Sequence, residues 1–348
     1  MDKGFYATCE GATDQKSVLK IVSTWRDLGI NKVYLLAKDG EGMMAYKSRI
    51  AKSKAKADFD SFGEITAQAK NHGIEVHAWF CCYIESPTEP SDYLKYHPDA
   101  LIVNRYGKTN IEEPTWSTVG VSYSRYWVCP SHVGYRQYLM SLMREVAESY
   151  PIDGIHLDYI RYPEAVEGRY YCYCSTCKRK LKEEYGYELP ANDVIKNRYY
   201  VSILCENVSN SVEEFSKLAR SMGKEISAYV FTDYVTAIES AYQDWPYFSR
   251  FLDVICPTTY EVSPGHIVTI VKRAKRAIHR GCKLTPVVLS CREVVRSRDG
   301  GSRWSKERTP EYVLSSVRAC MDSEADGVVF FIHSGTPPEI LEALRLGL

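Results

Sequence analysis

The chain has 348 residues, and its 44 Lys plus Arg are balanced by 44 Asp plus Glu. A formal charge of zero argues against a nucleic-acid footprint, which needs an excess or a stripe of basic residues. No apolar run approaches the roughly 20 residues of a membrane span, and 45% hydrophobic with 25% charged residues is an ordinary globular make-up.

Short β-type runs alternate with helical stretches along the chain. The expected strands are 4–9, 32–37, 75–81, 154–159, 225–231, 253–257, 284–289 and 327–333. Between them the spacing of apolar residues predicts helices over 15–28, 59–71, 135–149, 192–221, 266–280 and 310–323. Gly29, Gly73, Gly223 and Gly281 stand where helices end and are expected as C-caps. Eight strands with intervening helices fit a (β/α)8 TIM barrel, because parallel strands require crossovers. The alternative, a doubly wound sheet, calls for a glycine fingerprint after the first strand, and none follows Cys9. The chain reads as one barrel domain over residues 1–348.

Two connections exceed ordinary loop lengths, 84–128 after the third strand and 163–191 after the fourth. Both leave the C-terminal ends of strands, the face on which barrel active sites are built. A shorter loop, 297–310, follows the seventh strand in a position to act as a lid. The 27 Tyr and 6 Trp against 10 Phe supply aromatic faces with polar tips, suited to sugars.

Twelve Cys are too few for a disulfide scaffold. Several stand alone in strand or helix patterns, as small apolar residues do, so a reducing, cytoplasmic setting is expected, a removed leader aside. Cys172, Cys174 and Cys177 form a C-x-C-x-x-C cluster, whose thiolates can face one tetrahedral Zn²⁺. Cys129, closing the other insertion, is the first choice for the fourth ligand, ahead of Cys81, Cys82 and His132. Four protein ligands leave no open position, so this zinc is expected to be structural and no catalytic cofactor is called for.

The stretch Asp153-Gly-Ile-His-Leu-Asp158-Tyr-Ile-Arg161-Tyr-Pro163 carries most of the chemistry. Asp158 ends the fourth strand, so it is expected to point into the top-face pocket, with Arg161 nearby favouring its ionised form. An Asp–Arg pair that merely anchors the following loop is the alternative. His156 precedes Asp158 by two residues on one strand face.

This stretch resembles the signature of the family-10-like glycosyl hydrolases, the DUF187 group of TIM-barrel proteins. Glu75-Val-His77-Ala-Trp79, Trp127-Val-Cys129-Pro-Ser131 and Gln243-Asp244-Trp245 leading to Asp253-Val-Ile-Cys-Pro257-Thr-Thr-Tyr260 resemble the same group. The likeness runs from about Gly4 to His333 and implies a glycoside hydrolase acting on a carbohydrate. The cysteine pattern is similar to the zinc site of the family 42 β-galactosidases, where an upstream Cys before a helix joins a C-x-C-x-x-C. Their catalytic residues do not carry over. Those enzymes place an Asn-Glu pair on the fourth strand and a Glu on the seventh, whereas here the fourth ends in Asp158 and the seventh has no carboxylate until Glu293.

Glycoside hydrolysis needs two carboxyls across the scissile bond. Asp158 is expected as nucleophile and Glu261, directly after Tyr260 on the sixth strand, as acid/base in a retaining reaction. Asp233 is the second candidate and Asp244 the third. Retention requires a separation of about 5–5.5 Å and inversion about 6.5–9.5 Å. His77, Trp79, His156, Arg161, Tyr260 and Trp304 are expected to contact substrate, with Trp127 a further stacking surface. The rival reading is a carbohydrate-binding barrel without turnover. Another is a metal-dependent hydrolase, for which no His-rich ligand set is visible. The sugar, its linkage and the oligomeric state are left open.

Overall fold

The computed structural model describes the chain apart from residues 87, 114, 117–121, 124–125, 165–170, 189–197, 261, 292–293, 297–301, 305–307 and 348; the side chains of 115–116, 122–123, 294–296 and 302–304 are likewise left aside. Strands β1 (Asp2–Ala7), β2 (Lys32–Lys38), β3 (Glu75–Cys81) and β4 (Gly154–Asp158) are followed by β5 (Glu225–Val230) and β6 (Val254–Pro257). The next strand, β7, comes in two pieces, Lys283–Leu284 and Val287–Leu289, and β8 is Gly327–Phe331. The helices of ten or more residues are α1 (Gln15–Asp27), α2 (Ser61–Asn71), α3 (Val133–Ser149), α4 (Ser175–Tyr185), α5 (Arg198–Ser221), α6 (Pro264–Ala277), α7 (Pro310–Asp322) and α8 (Pro338–Gly347).

Every neighbouring pair in the main sheet is parallel. The ladder runs β6-β5-β4-β3-β2-β1-β8, with the first piece of β7 on β6 and the second on β8. A bridge between Thr258 and Val287 closes the circle. The expected (β/α)8 fold is therefore present. Pro286, which lacks an N–H, separates the two pieces of β7 where one strand was expected.

Gly29, Gly73 and Gly223 end α1, α2 and α5 in the left-handed region, as their positions predicted. Gly281 does not. Here α6 stops at Ala277 and the chain leaves through an extended Ile278. The fifth helix begins at Arg198, and 192–197 fall outside the described residues. No helix among the described residues is long and apolar enough to cross a membrane.

The insertion after β3 pairs Ile84–Glu85 with Tyr126–Trp127 and returns to α3 through Cys129. The second begins beyond Asp158 and enters α4 at Cys174, whose thiol accepts from the Cys177 amide as N-cap. Both rise from the C-terminal ends of adjacent strands, since His77 to Cys81 pair in register with Gly154 to Asp158.

Gly154 leaves room that His77 fills: a Cβ built there would lie 2.4 Å from His77 Cε1. Both sit in the packed barrel, so Gly154→Ala is expected to cost about 1–3 kcal/mol of stability. The measurement is a lower urea midpoint at unchanged slope, with part of the loss recovered when His77→Ala is added.

Candidate active site

Tyr6 occupies the barrel axis. Its ring packs against those of Tyr34, Trp79, His156, Tyr229 and Phe331 at centroid distances of 5.0–5.8 Å. Its hydroxyl bonds His156 Nε2 at 2.7 Å, while His156 Nδ1 bonds the Ser227 hydroxyl at 2.8 Å. Burial, aided by the charges of His77 and Lys32, holds His156 well below the usual histidine range, so the ring is neutral. With both nitrogens engaged and no exposure, His156 supports the layer above it.

His77, expected near the strand end, lies lower. It pairs with Gly154, two inward positions beneath Asp158, and its Nε2 faces Glu225 at 3.5 Å. Lys32 joins Glu225 at 2.7 Å and Glu75 at 3.0 Å beside it. This group closes the barrel floor and is remote from the mouth.

Asp158 stands at the mouth, 6% exposed. Its Oδ2 accepts from the Trp79 indole N–H at 3.0 Å, and its Oδ1 from the Tyr159 amide at 2.6 Å. Tyr159 takes the left-handed conformation, φ 49°, as the strand breaks away, a cost concentrated beside the carboxylate. Burial pushes Asp158 up to about 6, against the pull of the Tyr159 amide, the Trp79 indole and the Arg161 charge. Arg161 was expected to favour the ionised form. It pulls that way, but desolvation is the larger effect and the net shift is upward.

Arg161 itself is buried among aromatic faces. Its Cζ lies 5.0 Å from the Trp127 and Tyr159 rings and 4.8 Å from that of Phe231. Tyr260 stacks near Tyr229 and Phe331 with its hydroxyl buried. Its carbonyl accepts from Arg308, which precedes α7. Tyr229 and Phe331 thus wall the site beside Trp79 and Tyr260, and neither of the first two is among the residues expected from the sequence. Carrying the period-two alternation from Ser227 and Val329 one step up their strands identifies both. A cavity of about 450 Å³ opens beyond the tips of β1 and β2, lined by Thr8, Glu10, Leu36, Asp39, Lys54 and Lys56 among others.

The other acids divide. Asp233 caps the helix Tyr234–Ala241 and forms an ion pair with Arg273 at 3.2 Å. Asp244 caps Trp245–Phe248. Glu261 lies outside the described residues, as does the side chain of Trp304.

Cys129, Cys172, Cys174 and Cys177 converge, their sulfurs all within 4.8 Å of one another. Cys129 is 3.7 Å from Cys177 and 3.8 Å from Cys174. Four thiolates at about 2.3 Å from one zinc stand about 3.8 Å apart at the tetrahedral angle, so this donor set fits the ion. Bonds from the three neighbouring thiols hold Cys174 far below the usual thiol range. Cys129 is the fourth thiol of the cluster. His132 instead caps α3 and faces Asp99, and Cys81 lies beneath Asp158. Asn207, in a formal glycosylation sequon, is buried against Tyr162 and Cys177.

Glycosyl hydrolase DigH of Escherichia coli K12 is 22% identical over 171 residues, a match covering 47% of this chain and only 38% of DigH. The PgaB (BpsB) glycoside hydrolase domain from Bordetella bronchiseptica superposes with a TM-score of 0.67 at 14% identity, covering 99% of this chain and 98% of that one. A β-galactosidase from the psychrophilic Marinomonas ef1 gives 0.72 at 12% identity, over 99% and 58% of the two chains. The catalytic domain of a β-amylase from Paenibacillus polymyxa gives 0.65 at 12%, over 100% and 97%. At such identities these structures show a shared barrel fold. The family model described as "Glycosyl hydrolase-like 10" matches residues 6–289, and the chain belongs to that family.

Proposed function

We propose that the protein is a glycoside hydrolase with Asp158 as nucleophile and Glu261 as acid/base. The observation that carries this reading is the buried Asp158 carboxylate. Each of its oxygens accepts an N–H bond, and it stands at the mouth of an aromatic-walled barrel. N–H donors suit the ionised group, and burial removes the water that would blunt its attack. Asp158 would form the bond to the anomeric carbon as the glycosidic oxygen leaves with a proton from the acid/base; water then releases the sugar with retention. Asp233 and Asp244 are occupied as helix caps, which leaves Glu261 as the acid/base among the candidates. Trp79, Tyr260 and Arg161 would contact the sugar, and the cavity beyond β1 and β2 offers room for a further residue.

A second reading, carbohydrate binding without turnover, is favoured by one observation: no second carboxylate among the described residues couples to Asp158. Turnover of oligosaccharides separates the two. Asp158→Asn and Glu261→Gln are each expected to lower kcat by about 10⁴ or more while leaving the sugar's affinity within a fewfold. Wild-type binding without products selects the second reading.

The pH dependence is fixed by the same group. Activity is expected to rise with pH through about 6 as Asp158 ionises. Because its folded-state value lies above the unfolded one, the native protein holds the extra proton between them, and stability falls as pH rises through that window. Asp158→Asn, relieved of the buried charge, is expected to be more stable than wild type above pH 6, by up to about 3 kcal/mol, and near parity below pH 4. Urea midpoints at pH 4 and 7.5 give the comparison.

The four cysteines would hold a structural zinc that staples the insertions after β3 and β4. Elemental analysis of the purified chain is expected to give near one zinc per chain, reduced by Cys177→Ser. Removal by a chelator is expected to lower the thermal midpoint markedly, because metal binding is linked to folding.

A further inference from the structure

Around Asp158 the structure leaves hydrogen-bond donors unmet. The Arg161 side chain belongs to a residue only 8% exposed. Of the five N–H donors of a guanidinium, one is engaged among the described residues, from Nη1 to the Tyr162 carbonyl at 3.0 Å. Its charge reaches Asp158, yet the two form no ion pair, and no other carboxylate among the described residues pairs with it. Among the described residues the Trp127 indole N–H, whose ring lies against the guanidinium, is buried without an acceptor, and the Tyr260 hydroxyl leans only on that of Tyr229, short of a full hydrogen bond. Asp158 offers them little, because both of its oxygens already accept.

Buried donors without acceptors are rare and costly, and a buried cation without a counter-ion more so. The three aromatic faces answer part of the charge but none of the N–H bonds. A neutral sugar brings hydroxyl oxygens to the donors and leaves the charge unanswered. A carboxylate answers both, with two coplanar oxygens that match the guanidinium fork.

We propose that the site selects a sugar carrying a carboxylate, a hexuronic acid residue, whose carboxylate is received by Arg161 while Trp127 and Tyr260 donate to its remaining oxygens. This rests on the hydrolase reading only in taking the barrel mouth as the sugar site.

The test is binding to the full chain, followed by tryptophan fluorescence at constant ionic strength. D-glucuronate and D-galacturonate are titrated against D-glucose and D-galactose. At least one uronate is expected to bind tenfold or more tightly than its parent hexose. Arg161→Gln is expected to lower uronate affinity tenfold or more beyond whatever hexose affinity it loses, so that the difference between the two disappears. Arg161→Lys keeps the charge without the fork, and is expected to fall between them; it stands in if the Gln variant does not fold. Equal affinities, no saturable uronate binding, or a preference that survives Arg161→Gln overturns the proposal. A chain that prefers uronates but cleaves no glycan removes the hydrolase reading and keeps this one. Turnover abolished by Asp158→Asn, with no uronate preference, does the reverse.

Discussion

The hydrogen bond between the Tyr6 hydroxyl and His156 decides what can stand above it. Tyr6 fills the axis of a closed barrel, and His156 reaches it from β4 while its other nitrogen is held by Ser227. A strand alternates its faces with a period of two, so pinning His156 inward pins Asp158 inward two residues later. A slip of one residue would turn the imidazole and the carboxylate outward and bring Ile155 and Leu157 into a polar interior. The carboxylate is placed by a buried network that never touches it.

What Asp158 then becomes is settled by a contest between desolvation and attraction. Trp79, Tyr229, Tyr260 and Phe331 exclude water from it. Arg161, the natural counterweight, has its charge spread across three rings and makes no ion pair with the carboxylate. At separations beyond direct contact, the attraction is weaker than the loss of hydration, and the carboxyl is pushed up to about 6. The rings proposed to contact a sugar would therefore also set the working range of the proposed nucleophile.

Much of this was legible in the chain. The eight strands, the two long insertions and the convergence of Cys129 on the C-x-C-x-x-C cluster follow from alternation, loop length and ligand count. The inward direction of Asp158 follows from its place at the end of an apolar run. The rest depended on distances that no spacing encodes. His77 and Trp79 share one strand face and look equivalent, but register against Gly154 puts one at the floor and the other at the mouth. Asp233 follows the end of β5 much as Asp158 closes β4, yet its carboxylate is taken up as the cap of the next helix. Arg161 lies three residues from Asp158 in sequence, and only its rotation into the aromatic faces shows that it is not the partner.

The divided β7 gives the barrel an uneven seam. Most neighbouring strands share four or more registered pairs, whereas β6 meets the first piece of β7 through Val254–Lys283 and Ile255–Leu284, with Thr258–Val287 as a single bridge beyond Pro286. A ring of strands opens where its ladder is shortest. Amide protection along β6 and β7 should therefore be lost before that of β2, β3 and β4, and the wall bearing Asp158 should stay shut while the opposite wall breathes.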